Sequence, residues 1–404
     1  MKLFILILLL SISNIISGQK IDGDVIYRRS SLYTLMISEP TRQYSTEIQK
    51  TFIEAPIPDK FNNHLLQERK IPNAVNLKIK KEEKVRIQQE NISNYLKENE
   101  VAKKLVAKWF NRTPQGTFDV NLLAERGTYN ASDMDVKLAL SSKRGMALLA
   151  DAGEELIKNT FVIVNDFDYI SKEEVANKTK AGLSLLKDVA ELADVDIDTE
   201  TADELLTTFG KGYVIRTFSY LYQLDWNDSV AAVFYEQYWM DKDSFEPERK
   251  KAFDNSDIFK LKFVGYEIAW ADLQSTSYTK KSEEELIRTA TVRAMDAVIA
   301  KLQRKYEVFR TKTPLYSVDP LAAKIGLKEG LEKGDRFEVL EQVMDKDGRT
   351  RYKRKGIVKV DKNHIWDNRF MANEDPQNMQ SQLDFTVFKG SGKFYKGMLI
   401  RQIN

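Results

Sequence analysis

Residues 129–167, YNASDMDVKLALSSKRGMALLADAGEELIKNTFVIVNDF, read as one long helix running directly into a buried strand. Ser132 is placed to cap the helix, with Asp135 three residues on in a capping-box-like position. Leu138, Met146, Leu149, Leu156 and Ile157 fall on one side at near-helical spacing, with Ser142, Gly145 and Gly153 between them. Small residues on that stripe let a second element approach closely. The run Phe161-Val162-Ile163-Val164 has strand length and is apolar at every position. A strand with two apolar faces belongs at the centre of a covered sheet, and Asn165-Asp166 are expected to end it.

Upstream, residues 82–110 carry a helical apolar face through Val85, Ile92, Leu96, Leu105 and Trp109, with a break expected near Asn99. Thr113-Pro114-Gln115-Gly116 reads as a turn. Residues 19–80 read as an irregular opening segment, with short strands at 25–27 and 32–37, a short helix over 46–54, and Pro56, Pro58 and Pro72 as breakers. Within it, Arg28-Arg29-Ser30-Ser31 reads as a turn with solvated arginines. Residues 1–18 have a charged start, an apolar core and a small-residue exit ending at Gly18, the layout of a secretory signal peptide; cleavage is expected near Gln19. The apolar core is too short to span a bilayer comfortably, so no membrane span is expected after its removal.

Downstream, Ser171 and Glu174 open a second capped helix reaching about residue 193. Residues 211–225 and 258–272 read as long strands. Phe218, Tyr220 and Tyr222 share one face of the first, and Gly265 marks a bulge in the second, after which Tyr266, Ile268 and Trp270 resume the alternation in the other phase. Residues 229–239 fit either a short helix or a strand, and 246–254 a helix. Ser282 and Glu285 form a capping box ahead of Leu286, Ala290, Ala294, Val298, Leu302 and Tyr306, a four-residue apolar repeat. Thr313-Pro314 and Asp319-Pro320 read as a linker. From residue 321 the texture becomes short strands and turns, with Asp347-Gly348 as a hairpin signal. The expected fold class is α/β (α+β): a mixed sheet packed with long amphipathic helices over residues 81–312, then a small, partly open SH3-like β-barrel over 321–404.

Composition narrows the chemistry. The 404 residues suffice for two or three domains, and 62 Lys and Arg against 60 Asp and Glu leave a formal charge of +2, which argues for neither nucleic acid nor a membrane surface as partner. Cysteine is absent, which excludes disulfides, thiol catalysis, Cys-type zinc sites and a lipoprotein anchor together, and suits a bacterial periplasm or cell envelope. Only two histidines, His64 and His364, are available to a triad or a metal site, and both read as loop residues. The acidic stretch Asp194, Asp196, Asp198, Glu200, Asp203, Glu204 matches a calcium loop at positions one, three and five. It lacks the glycine at six, where Thr199 stands, and the glutamate at twelve, where Leu205 stands, so a solvated loop is expected. Residues 388–394, FKGSGKF, lack the first glycine and the hydroxyl residue of a phosphate loop, and their glycines are expected to make a hairpin turn. No metal, cofactor or catalytic residue is assigned.

Two surfaces remain as interaction candidates. Arg349, Arg351, Lys353, Arg354 and Lys355 open the densest basic run, which reads as contact with an anionic polymer or partner, or as edge-strand charges that block aggregation. Tyr220, Tyr222 and Trp226, with Phe218 and Tyr238, read as a glycan-stacking platform or as core.

The runs RSSLYTLM (29–36), KWFNR (108–112), RGTYNASDMD (126–135) and LLADAGEELIKNTFVIVND (148–166) resemble a family of uncharacterised exported proteins of Bacteroidetes-type bacteria, and that resemblance brings no function. GLKEGLEKGDRFEVLEQV, GIVKV and FYKGMLI, within residues 326–400, resemble the small terminal barrel of periplasmic flagellar-assembly proteins. The preceding α/β part is similar in layout to the periplasmic domain of curli-secretion channels, which carry a lipid-anchoring cysteine that this chain lacks. Together these features imply an exported, non-enzymatic envelope protein acting as a structural or assembly factor on an envelope protein or polymer. A glycan- or peptide-binding module is the alternative, and a carboxylate-based hydrolase a third reading.

Overall fold

The computed structural model describes residues 27–73, 81–130, 153, 155–171, 212–274, 282–344, 346, 350–374 and 384–403. The apolar run 161–164 sits mid-sheet, as its composition demands. Strand β4 (Thr160–Ser171) lies between β1 (Ser31–Ser38), which it pairs in parallel, and β5 (Gly212–Leu224), which it pairs antiparallel; β6 (Leu261–Gln274) forms the far edge. Two short strands, β2 (Asn62–Asn63) and β3 (Lys70–Pro72), pair with the outer side of β1. Phe161, Val162, Ile163 and Val164 are all fully buried. Val162 and Val164 face α2 (Lys81–Glu98) and α3 (Val101–Trp109) through Ile92, Leu96 and Leu105; Phe161 and Ile163 face α7 (Glu283–Lys305) through Ile299 and Leu302. The sheet is thus covered on both faces by helices, α1 (Ser45–Glu54) lying beside α7.

Three expectations need correction here. Asn165-Asp166 do not end the strand, which continues to Ser171. Asn165 Nδ2 donates to the Leu35 carbonyl at 3.2 Å and its Oδ1 accepts from Ser219 Oγ at 2.5 Å, while Asp166 is paired with Arg42, so both polar residues are satisfied inside the sheet. Within the expected opening segment, the described residues 27–73 do not stand apart from the main sheet. Six residues of β1 pair with β4, and Leu32, Tyr33 and Leu35 are fully buried in the main core. Arg29 is not solvated but 6% exposed, its guanidinium lying 5.7 Å from the Tyr27 ring.

Elsewhere the local rules hold. The helix break comes at Asn99–Glu100, where Glu100 takes a left-handed φ of 52°. Ser282 and Glu285 make a full capping box, and Leu286, Ala290, Ala294, Val298 and Leu302 are buried. Residues 229–239 resolve as helix: α5 (Asp228–Val233), N-capped by Asn227, runs into a π-helical turn at Phe234–Tyr238. With α4 (Asn121–Asn130) and α6 (Pro247–Asp254), this segment encloses an aromatic corner around Trp109, Phe110, Phe118, Phe234 and Phe253. Of the long helix expected before β4, Leu156 and Ile157 are helical and fully buried; residues 131–152 lie outside the described residues, as do residues 172–193 of the next expected helix, whose expected cap, Ser171, is the last residue of β4.

Two glycines are dictated by close approach. A Cβ on Gly153 would lie 2.6 Å from the Leu123 side chain, so α4 packs where only glycine leaves room. A Cβ on Gly265 would lie 2.1 Å from the Tyr306 hydroxyl. Gly265 adjoins the bulge in β6, where pairing passes from Gly265↔Leu221 to Phe263↔Tyr222 and the alternation changes phase. The Tyr306 hydroxyl accepts from Tyr266 N and donates to Tyr266 O, both at 3.1 Å, occupying backbone groups on the outer edge of the sheet.

The barrel begins earlier than expected. Thr313-Pro314 is no linker but the start of β7 (Thr313–Val318), which turns at Asp319-Pro320 into β8 (Leu321–Ala323). With β9 (Arg336–Met344), β10 (Thr350–Val360), β11 (Thr386–Lys389) and β12 (Leu399–Ile403), it closes a ring in the order β10-β11-β8-β7-β12-β9. The barrel is closed rather than partly open. Its interior holds Leu315, Phe337, Val339, Val358, Phe388 and Ile400. β11 and β12 are not neighbours, so the glycines of 388–394 lie on a crossover, not in a hairpin turn. The barrel docks on the C-terminal half of α7: Arg304 makes two 3.0 Å bonds to Asp335 and one of 2.7 Å to the Gly330 carbonyl, and Arg293 Nε donates to the Phe370 carbonyl at 3.0 Å.

Candidate functional site

The aromatic candidates belong to the core. Tyr220, Tyr222 and Trp226 are between 1% and 3% exposed, so they form no stacking shelf. Tyr220 and Tyr222 lie under α2 and α3, and Tyr222 shares a 3.0 Å hydrogen bond with Ser93. Burial pushes the Tyr222 hydroxyl up to about 12.

The basic run lies on β10, opposite acids of β9. Arg351, Lys353, Arg354 and Lys355 are exposed; Arg349 lies outside the described residues. Lys355 pairs with Glu341 at 3.0 Å and Arg354 with Glu338 at 2.9 Å, while Lys353 stands directly across from Glu341. Arg401 of β12 reaches Glu338 at 2.6 Å from the other side. This hairpin is charge-matched within the barrel.

His64 lies, as expected, in the irregular segment that follows β2. It is fully buried, with Nε2 against the Leu105 carbonyl at 3.0 Å and Nδ1 against Arg126 Nη1 at 2.8 Å. Those partners make Nε2 the donor and Nδ1 the acceptor. Burial, and then Arg126, hold the imidazole well below its usual pKa. Arg126, lowered to about 10 by burial, stacks 4.5 Å over Trp109, whose Nε1 donates to Thr160 Oγ1 at 2.8 Å. The cluster ties β2, α3, α4 and β4 together, and neither ring nitrogen of His64 is open to a substrate. His364 is exposed and pairs with Asp361 at 3.1 Å. Among the described residues, no group of three or more His, Asp or Glu side chains is placed to hold a metal ion; the acidic stretch 194–204 lies outside them.

What the fold does assemble is a cleft of about 520 Å³ between the sheet domain and the barrel. One wall comes from Tyr27, Arg28, Asp59 and Lys60. The other comes from the start of β7, the segment 324–329, the segment 366–373 and Lys396. Its lining carries seven cationic side chains, Arg28, Lys60, Lys312, Lys324, Lys328, Arg369 and Lys396, against three carboxylates, Asp59, Glu329 and Asp367. Two of those carboxylates are committed. Asp367 takes Arg369 in a bidentate pair at 2.8 and 2.6 Å, and Glu329 accepts from Gly326 N at 2.7 Å and Asn368 Nδ2 at 2.8 Å. Asn368 also accepts from Lys328 N at 2.8 Å, so the two barrel segments fix one another.

Lys60 donates to the neutral Gln303 amide at 2.6 Å, and burial holds its pKa below the usual lysine value. Lys312, lowered by burial likewise, lies 4.1 Å over the Tyr352 ring. On α7 behind Lys60 and Lys328, burial pushes the half-buried Asp296 carboxyl up to about 6. Such a surface is suited to receive negative charge: its cations are partly stripped of water and outnumber the acids that face them.

Nothing local in the sequence marks this cleft. Its cations come from six separated segments, and Lys312 to Tyr316 lie where the sequence reads as a linker. Comparison with protein-family models and with curated proteins finds no match to the chain. No helix among the described residues is long and apolar enough to cross a membrane.

Proposed function

We propose that this chain is an exported, non-enzymatic protein of the cell envelope that acts by binding an anionic envelope component in the cleft between its sheet domain and its barrel. One observation carries the reading: in a chain whose formal charge is only +2, seven cations and three carboxylates line a single cleft, and two of the carboxylates are already bonded within the protein. The signal-like residues 1–18 and the absence of cysteine support export to a periplasm or envelope. A binding role also accords with the state of the histidines, one sealed in the core and one paired at the surface.

The test uses the chain from Gln19 onward, passed over dextran sulfate, neutral dextran and polylysine supports. Retention on dextran sulfate alone, reversed by salt, is expected. Equal retention on neutral dextran, or none on any support, would remove the proposal. For export, N-terminal analysis of the protein recovered from an envelope fraction should give a start near Gln19, and a mature chain that keeps Met1 would contradict it.

A further inference from the structure

Resting on the anionic-ligand reading, we infer that the cleft takes an acidic polysaccharide, stacked on Tyr316 with its acid groups held by Lys324 and Lys396. Tyr316 is the extra residue of a bulge in β7, where pairing with β8 passes from Leu315 to Ser317. Its neighbour Leu315 points into the barrel core, 1% exposed, while the Tyr316 ring lines the cleft, half-buried. Phe385 backs the ring at 5.9 Å with an interplanar angle of 29°. Lys324 Nζ stands 4.7 Å and Lys396 Nζ 5.5 Å from the ring centroid. The three side chains come from β7, from the segment after β8 and from the segment before β12, so the closed barrel brings together what the chain keeps apart.

The chemistry is specific to a ring that is apolar on its face and acidic at its rim. Lys324 and Lys396 hold their ammonium groups over the Tyr316 ring; a sugar that draws them aside lays its C–H face on the tyrosine and meets them with a carboxylate or sulfate at its edge. Trp366, half-buried, and the cations Lys60 and Lys328 also line the cleft. An acidic peptide fits less well. Peptides commonly dock by adding a strand, and β7 is hydrogen-bonded on one side to β8 and on the other to β12, so this wall has no free strand edge.

Calorimetric titration of the full mature chain separates the possibilities, with polygalacturonate as the carboxylated glycan, dextran sulfate as the sulfated one, polyglutamate as the peptide polyanion and a single-stranded oligonucleotide as the nucleic acid. The acidic glycans are expected to bind more tightly than polyglutamate or the oligonucleotide. Tyr316→Ala should weaken polygalacturonate at least about tenfold while changing polyglutamate little, and Tyr316→Phe, which keeps the ring face, should retain binding. Melting curves of each variant show that it is folded. Polyglutamate or the oligonucleotide binding as tightly as the glycans, or Tyr316→Ala weakening all of them equally, overturns the glycan assignment and leaves the anionic cleft standing. Failure of every polyanion to bind wild type removes both.

Discussion

The barrel presents basic side chains in two places, and they differ in what faces them. On the β9–β10 hairpin, Lys355 meets Glu341, and Glu338 sits between Arg354 and Arg401. In the cleft, Lys60 meets an amide and Lys312 an aromatic face, while two of the three acids are bonded within the wall, Asp367 to Arg369 and Glu329 to Gly326 N and Asn368. The hairpin is denser in charge along the chain, yet it is neutralised across the strands. The cleft is sparse along the chain and concentrated in space. Charge spends its free energy on the nearest opposite charge, so recognition capacity belongs where the fold gathers more cations than acids.

The largest effect expected from breaking this logic lies at Ile163 of β4, which packs in an apolar cluster. Ile163→Asp puts a carboxylate between two covered faces, among Phe161, Leu221 and Leu302. It must be buried charged or take up a proton. The loss should be several kcal/mol, a large part of the roughly 5–15 kcal/mol of a typical domain. Urea unfolding measures it, and a variant as stable as wild type would mean that this strand face is open.

Next comes the matched hairpin. Glu338 is 2% exposed, and although burial works to raise its pKa, Arg354 and Arg401 outweigh that and hold it low. Glu338→Ala leaves both arginines without this partner and should cost about 1–3 kcal/mol. Because the folded carboxyl is depressed, its contribution is present above the unfolded pKa near 4.3 and fades as pH falls below it, so the wild-type advantage over the variant should shrink in acid. The half-exposed Lys355–Glu341 pair is a smaller matter, and Lys355→Ala should change stability by under about 1 kcal/mol.

Asp296, behind the cleft, runs the other way. Its folded pKa is raised to about 6, so its contribution is complete below the unfolded value near 3.9 and is lost as pH rises through 6. Asp296→Asn should therefore gain on wild type between pH 4 and pH 7, by about 1–2 kcal/mol once screening at its half-buried position is allowed for. Denaturation midpoints across that range check the direction. A constant difference would mean that the carboxyl is not desolvated.

Much of the sheet domain was legible from local pattern. The unbroken apolar run at 161–164, the break at Asn99, the Ser282 capping box and the bulge at Gly265 each follow from rules that act within a few residues. The misreadings share a cause. Asn165-Asp166 looked like a stop, and Arg29 looked solvated, because groups that act on them lie far away in sequence: Leu35, Ser219 and Arg42 for the first pair, Tyr352 and Glu155 for the second. The sense of Thr313-Pro314 as a linker failed because proline near the start of a strand is tolerated where its missing N–H is not needed. The cleft was illegible for the same reason at larger scale, since its lysines become neighbours only after the barrel closes and docks on α7.

The contrast between the two basic regions is tested most directly by titrating dextran sulfate into three forms of the mature chain at low salt: wild type, Lys60→Gln with Lys328→Gln, and Lys353→Gln with Lys355→Gln. Each pair removes two positive charges, so the long-range field changes equally. The cleft pair should weaken binding at least about tenfold without lowering the melting temperature, since burial disfavours the Lys60 cation in the fold; the hairpin pair should stay within about twofold of wild type. An equal loss in both, or a greater loss from the hairpin pair, would contradict the assignment of binding to the cleft.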